Sequence, residues 1–193
     1  MIIPDQDWAA MWAPYDEDTY RQAATWIKAG QRVLDIGAGD LRFARRLTAQ
    51  GCRVIAIDNQ WSILMRSLQD GPLPSGLLAV CADARGFPFP SGMDTAVLLM
   101  RHCMDFGLYV RKLREVGCLS LITNARWGMG VEYVPLEPAT PTLDAASTIG
   151  WYACLTCGKI GFQASDPNAI DDSVLDQTLN IEACPVCQGF TSQ

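Results

Sequence analysis

Residues 33–40 read Val33-Leu34-Asp35-Ile36-Gly37-Ala38-Gly39-Asp40, and the reading of this octapeptide decides the fold. A short apolar run enters a turn with two glycines two positions apart, and Asp35 stands just before the first. Glycine lets the backbone turn sharply and approach a ligand with no Cβ in the way. An apolar strand, a glycine turn and a following helical pattern are the parts of a nucleotide-type cofactor site. Two further stretches, Val54-Ile55-Ala56-Ile57-Asp58 and Cys81-Ala82-Asp83-Ala84, also end apolar runs in an acid.

Outward from this motif, short apolar runs alternate with helical patterns. Tyr20, Ala23, Ala24 and Ile27 recur at helical spacing, so a helix is expected over 16–29, ended by Gly30. Strands are expected at 32–36, 53–57, 77–81, 94–100 and 118–123, with helices at 41–50 and 61–68. Tyr109, Leu113 and Val116 mark a further helix that stops at Gly117. The run Ala96-Val97-Leu98-Leu99-Met100 suits a strand buried on both faces. Such alternation implies an α/β fold with a mostly parallel sheet and right-handed crossovers. One more strand is expected at 131–136, before Pro135, Pro138 and Pro141 punctuate a linker.

The ordered series of glycine loop, Asp58 and Asp83-Ala84 resembles the class I S-adenosylmethionine-dependent methyltransferases, over roughly residues 30–125. The run from Cys81 to Pro90 is similar to their ubiquinone/menaquinone-biosynthesis-type branch. The resemblance implies a Rossmann-like domain in which Asp35, Gly37 and Gly39 face the amino-acid portion of the cofactor. It implies that Asp58 accepts both ribose hydroxyls, and that Asp83 and Ala84 read the adenine. The family often has a third glycine where Leu41 stands, whose Cβ is expected to crowd the loop. The family normally completes its sheet with a further helix and a terminal hairpin, for which few residues remain. Either the sheet is trimmed, or strands near Trp151-Tyr152 and Leu179–Ala183 take their place. A nicotinamide-type Gly-x-Gly-x-x-Gly needs glycine where Arg42 stands, which favours S-adenosylmethionine over NAD.

His102, the only histidine, follows the fourth expected strand, on the edge where ligands of such sheets bind. It is the candidate catalytic base for an acceptor hydroxyl or amine. The alternative is a histidine that only hydrogen-bonds the chain or contacts the cofactor. Asp105, Tyr15 and Tyr20 are further candidates. Asn124 and Arg126, just past the fifth strand, are candidates for facing substrate. Trp8, Trp12 and Tyr15 are expected to pack, or to form a flap over the cofactor mouth. Arg42, Arg45, Arg46, Arg111, Lys112 and Arg114 are expected on solvated helix faces.

Eight cysteines fall into two groups. Cys52, Cys81, Cys103 and Cys118 are isolated at or within apolar runs and read as small buried hydrophobes. Cys154-Leu-Thr-Cys157 and Cys184-Pro-Val-Cys187 are two Cys-x-x-Cys hooks with 26 residues between them. Two hooks can wrap four thiolates tetrahedrally around one ion, as a structural zinc site requires. The pattern resembles a zinc ribbon and, more loosely, rubredoxin, so iron is the alternative to Zn2+. A closed site of four thiolates leaves no open coordination position, which implies a structural metal.

Composition bounds the rest. The 193 residues are 49% apolar and carry a net charge of −6. Residues 150–193 hold Lys159 against Asp166, Asp171, Asp172, Asp176 and Glu182, a poor match for nucleic-acid phosphates. No apolar stretch approaches the roughly 20 residues that span a bilayer. The start lacks the basic region and apolar run of a secretory signal, so a cytoplasmic protein is expected. The division expected is a Rossmann-like domain over 1–136, a linker over 137–149 and a zinc-ribbon module over 150–193. The function expected is methyl transfer to an unidentified small-molecule or protein acceptor. The alternatives are a non-catalytic adaptor whose ribbon recruits a protein partner, and an RNA methyltransferase.

Overall fold

The computed structural model describes residues 17–69, 71–126, 130–137, 140–142, 150–164 and 166–189. Helix α1 (Glu17–Ala24) leads into β1 (Arg32–Ile36), α2 (Arg42–Ala49), β2 (Arg53–Asp58), α3 (Trp61–Gln69) and β3 (Leu77–Cys81). There follow β4 (Thr95–Leu98), α4 (Phe106–Glu115), β5 (Ser120–Thr123) and β6 (Glu132–Pro135). These six strands form one sheet in the order β3-β2-β1-β4-β5-β6, parallel throughout except for β6, which runs antiparallel to β5. The protein is α/β with a mostly parallel, Rossmann-like sheet.

Strand order explains the sequence pattern. β1, β4 and β5 lie inside the sheet, and their residues from Val33 onward are buried. A parallel strand with helices on both faces needs apolar side chains on both. One face packs Leu34, Ile36, Ala96 and Leu98 against Phe106, Tyr109, Val110 and Leu113 of α4. The other packs Val33, Val54 and Val97 against Tyr20 and Ala23 of α1 and Phe43, Ala44 and Leu47 of α2. Tyr20 stacks on Phe43 with ring centroids 5.2 Å apart, which gives it a packing role. α1 ends at Ala24, five residues short of the expected end, yet Ile27 stays buried after the helix has turned away.

The chain then builds a second sheet. β7 (Thr140–Thr142), β8 (Gly150–Cys154), β9 (Ile160–Gln163) and β10 (Thr178–Ala183) pair in the order β7-β10-β8-β9. β8 and β10 run parallel, so both cysteine hooks lie at carboxyl ends of neighbouring strands. β7 falls within the stretch expected as a linker and pairs with β10. The first sheet is therefore trimmed: β6 closes it, and the strands around Trp151 and Leu179 form their own sheet. Between the hooks, residues 166–175 hold a 3-10 turn (Pro167–Ala169) and helix α5 (Asp172–Leu175), capped by Asp166 and Asp171. Among the described residues, no helix is long and apolar enough to cross a membrane.

Candidate functional site

The carboxyl ends of β1, β2, β3 and β4 open into a cleft of about 280 Å3 lined by Gly37, Asp58, Asp83, Ala84 and Met100. The glycine loop reaches it through positive φ angles at Gly37 (74°) and Gly39 (53°). The amides of Gly37 and Ala38 both donate to the Ile57 carbonyl, at 2.8 and 3.0 Å, which folds the loop over the end of β2. The Met100 thioether lies against Gly37, so a Cβ there would sit 2.7 Å from its sulfur. The positive φ favours glycine there, and any Cβ would also require the end of the Met100 side chain to shift.

Asp58 ends β2 and is fixed by the backbone. The Gly39 amide donates to its Oδ2 at 2.8 Å and the Gln60 amide to its Oδ1 at 2.8 Å. Each carboxylate oxygen keeps acceptor capacity toward the cleft. Burial pushes the Asp58 carboxyl up, against the pull of these amides and that of Asn59. Asp35, in β1, is not among the cleft-lining residues, and neither is Gly39. Asp35 is buried, and its Oδ2 has no hydrogen-bond partner. Burial, with the Asp58 and Asp40 charges beside it, pushes its carboxyl up to about 7. A buried carboxyl with an idle oxygen is a place where a cationic ligand group is electrostatically favoured.

At the far end of the cleft, Asp83 is held by Arg85. The guanidinium donates from Nε to both carboxylate oxygens at 3.0 Å and from Nη2 to Oδ2 at 2.7 Å. The Arg85 side chain and amide hold the Asp83 carboxyl down at about 2. The segment after Asp83 is tied from α4: the Lys112 ammonium donates to the carbonyls of Ala84, Arg85 and Phe87 and lies 4.1 Å from the Phe89 ring centroid.

The four cysteines of the two hooks converge, with their sulfurs all within 4.8 Å of one another. Sγ–Sγ separations are 3.9 Å for Cys154–Cys187, 3.6 Å for Cys157–Cys184 and 3.7 Å for Cys184–Cys187. A tetrahedron with metal–sulfur bonds of about 2.3 Å has edges of about 3.8 Å, so the residues present fit a Zn2+ ion. The amides of Lys159 and Cys187 hydrogen-bond Cys157 and Cys184 respectively, as is needed to stabilise thiolate charge.

Neither a family profile nor a curated protein matches the sequence. Solved structures do. A methyltransferase from Thiobacillus denitrificans, solved with S-adenosyl-L-homocysteine, superposes with a TM-score of 0.51 at 18% identity, covering 64% of this chain and 56% of its own. The fold is that of the S-adenosylmethionine-dependent methyltransferases. An S-adenosylmethionine-dependent methyltransferase from Mesorhizobium loti scores 0.48 at 20% identity, covering 55% of this chain and 52% of that one. A TehB-like protein from Corynebacterium glutamicum ATCC 13032 Kitasato scores 0.49 at 19%, covering 65% and 70%. The chain spans about half the length of the first two.

Within this methyltransferase fold, several residues lie elsewhere than the sequence suggests. Leu41 does take the left-handed conformation of the missing glycine (φ 61°), but its side chain is buried under the loop among Tyr20, Phe43 and Leu47. It does not line the cleft, so the expected crowding is absent. His102 is exposed at a positive φ of 60° and is not among the cleft-lining residues. Asp105, by contrast, does line the cleft. Tyr15, Trp8 and Trp12 lie outside the described residues.

Arg126 is buried and serves the fold. It donates from Nε and Nη2 to Glu132 at 2.6 and 2.7 Å, and from Nη2 to Asn180 at 2.8 Å. Asn124 is buried with both amide atoms unpartnered. Of the helix cations expected on solvated faces, Arg45 donates to the Ser67, Gly71 and Pro72 carbonyls, and Arg114 pairs with Glu182 at 2.6 Å. Their partners are distant in sequence, so helical spacing alone does not mark them. Asn59, Arg85, Met100 and Tyr109 line the cleft without having stood out as site residues. For Asn59, Arg85 and Met100 the available signal was a place shortly after a strand, whereas Tyr109 lies inside α4.

Proposed function

We propose that this chain is an S-adenosylmethionine-dependent methyltransferase carrying a structural zinc site. The observation that carries the reading is the convergence of Gly37, Asp58, Asp83 and Ala84 on one cleft at the carboxyl edge of the sheet. Asp58 holds the ribose: two oxygens fixed by two amides face two neighbouring hydroxyls. Gly37 and Gly39 let the backbone approach the amino-acid portion, and the buried Asp35 attracts its ammonium. Asp83 and Ala84 take the adenine edge, for which Arg85 must release the Asp83 carboxylate. That exposed pair is weak enough to open on binding.

S-adenosylmethionine supplies a sulfonium methyl, so an acceptor lone pair forms the new bond while the sulfur keeps the electrons of the broken one. The chain's part is mainly placement, since in-line displacement needs orientation more than proton transfer. Asp105, at the cleft, is better placed than His102 to take the acceptor's proton. We infer a small-molecule or protein acceptor, because Lys159 is the only cation in residues 150–193. Cys154, Cys157, Cys184 and Cys187 hold Zn2+, which suits a reducing compartment such as the cytoplasm.

Labelled S-adenosylmethionine in equilibrium dialysis tests the cofactor. Retention by the wild type, lost in Asp58→Ala and not displaced by NAD, is expected. Retention unchanged in Asp58→Ala would contradict the assignment. Elemental analysis of protein purified without chelator should find one zinc per chain.

A further inference from the structure

The cysteine hooks and the cleft share one helix. Asp105 and Tyr109, at the start of α4, line the cleft. Phe106 and Gly107, between them, face the first hook. No side chain fits in that contact: a Cβ on Gly107 would overlap the Thr156 carbonyl, and one on Gly158 would lie 3.1 Å from the Phe106 ring. Leu155, directly after Cys154, is buried in the same apolar cluster as Phe106, Tyr109, Val110 and Leu113. The hook's tip is thus part of the first sheet's core. One turn on, Lys112 ties down the carbonyls of Ala84, Arg85 and Phe87 at the adenine end.

We propose that the metal-loaded hook is a positioning element of the cofactor cleft, with Leu155 and Thr156 seating α4 and α4 setting Asp105, Tyr109 and the 83–87 segment. The inference rests on the cofactor and zinc readings above. Among the described residues, the hooks' own cluster is small, with Cys154, Ile181 and Cys184 buried in it, so an ion joining the four sulfurs would add the restraint that this core lacks. With the ion, four sulfurs are locked together and Leu155 stays in register with Phe106. The two sites are then linked, and linkage is reciprocal: whatever factor zinc adds to cofactor affinity, cofactor adds to zinc affinity.

The test uses the full chain in three forms: zinc-loaded, chelator-treated, and Leu155→Ala with its zinc content verified. Amide hydrogen exchange and the affinity for S-adenosylhomocysteine are measured on each. Chelation and Leu155→Ala should both speed exchange in the first turn of α4 and in 82–87, beyond the hooks. Both should weaken S-adenosylhomocysteine about tenfold, within the usual range of such couplings. Should chelation unfold the whole chain, the zinc-retaining Leu155→Ala protein decides. Faster exchange confined to 150–189 overturns the proposal, as does an affinity unchanged within twofold. If no form binds S-adenosylhomocysteine, the cofactor reading fails and the exchange pattern alone decides the coupling. A chain that takes up no zinc refutes the metal reading, and this inference with it.

Discussion

The six-stranded sheet buries both faces of its inner strands under helices, whereas the four-stranded sheet leaves most side chains of β8, β9 and β10 half-exposed. The first assembles two large apolar clusters. Among the described residues, the second has one small cluster of its own, with Cys154, Ile181 and Cys184 buried in it. A small module without a sufficient core needs a staple, and four converging cysteines are the staple available. One half is held by burial. The other, on the zinc reading proposed above, is held by coordination and by what it borrows from the first through Leu155, Arg114 and Arg126.

Removing the staple should separate the halves most sharply. Cys154→Ser is expected to lose stoichiometric metal and amide protection over 150–189, with β1, β4 and β5 still protected. Elemental analysis with hydrogen exchange checks this, and full protection without metal would break the comparison. Next in size is Arg126→Ala, which leaves the partly buried Glu132 carboxylate unpaired and removes the tie to Asn180. Breaking such a pair costs about 3–5 kcal/mol, measurable by urea denaturation. Here both halves should lose stability, because the residue belongs to both.

Leu41 sharpens the first half's side of the comparison. Leu41→Ala should cost about 2–5 kcal/mol for its lost burial. Leu41→Gly should be more stable than Leu41→Ala by about 1 kcal/mol, because glycine relieves the left-handed backbone. Equal stabilities would mean that the loop carries no such strain.

A further effect concerns pH. The Asp35 carboxyl has its folded value raised to about 7 from 3.8, so the native state holds a proton that the unfolded chain releases. Its contribution is therefore present below about pH 4 and is lost as pH rises to about 7. Unfolding free energy of the wild type should fall across that window, and Asp35→Asn should flatten the fall. An identical profile in the variant would show that Asp35 does not titrate there.

The same contrast explains what could be read beforehand. Burial of inner strands writes itself into the chain as continuous apolar runs, so β1, β2, β4 and β5 were legible to within two residues. The edge strand β3 was legible from its apolar run although Leu78 is exposed. The acids at strand ends were legible because the ligand edge of such a sheet is dictated by its topology. The hooks were legible because coordination geometry demands their spacing. Contacts between the halves were not. Arg126 reaches Asn180, and Arg114 reaches Glu182, across long stretches of chain. A cation on a helix pattern looks the same whether its partner is water or a distant carboxylate. β7 and β9 are three and four residues long, too short for their periodicity to show. Leu41 looked like an obstruction because the octapeptide does not tell whether its side chain points to the cleft or the core.

The most direct test of the account is a crystal structure of the zinc-loaded protein grown with S-adenosylhomocysteine. The account predicts the ribose hydroxyls on Asp58, the adenine beside Asp83 and Ala84 with Arg85 withdrawn, Met100 moved off Gly37, and one ion among the four cysteines. A ligand bound away from Gly37 and Asp58, or an empty cleft at saturating ligand, would contradict it.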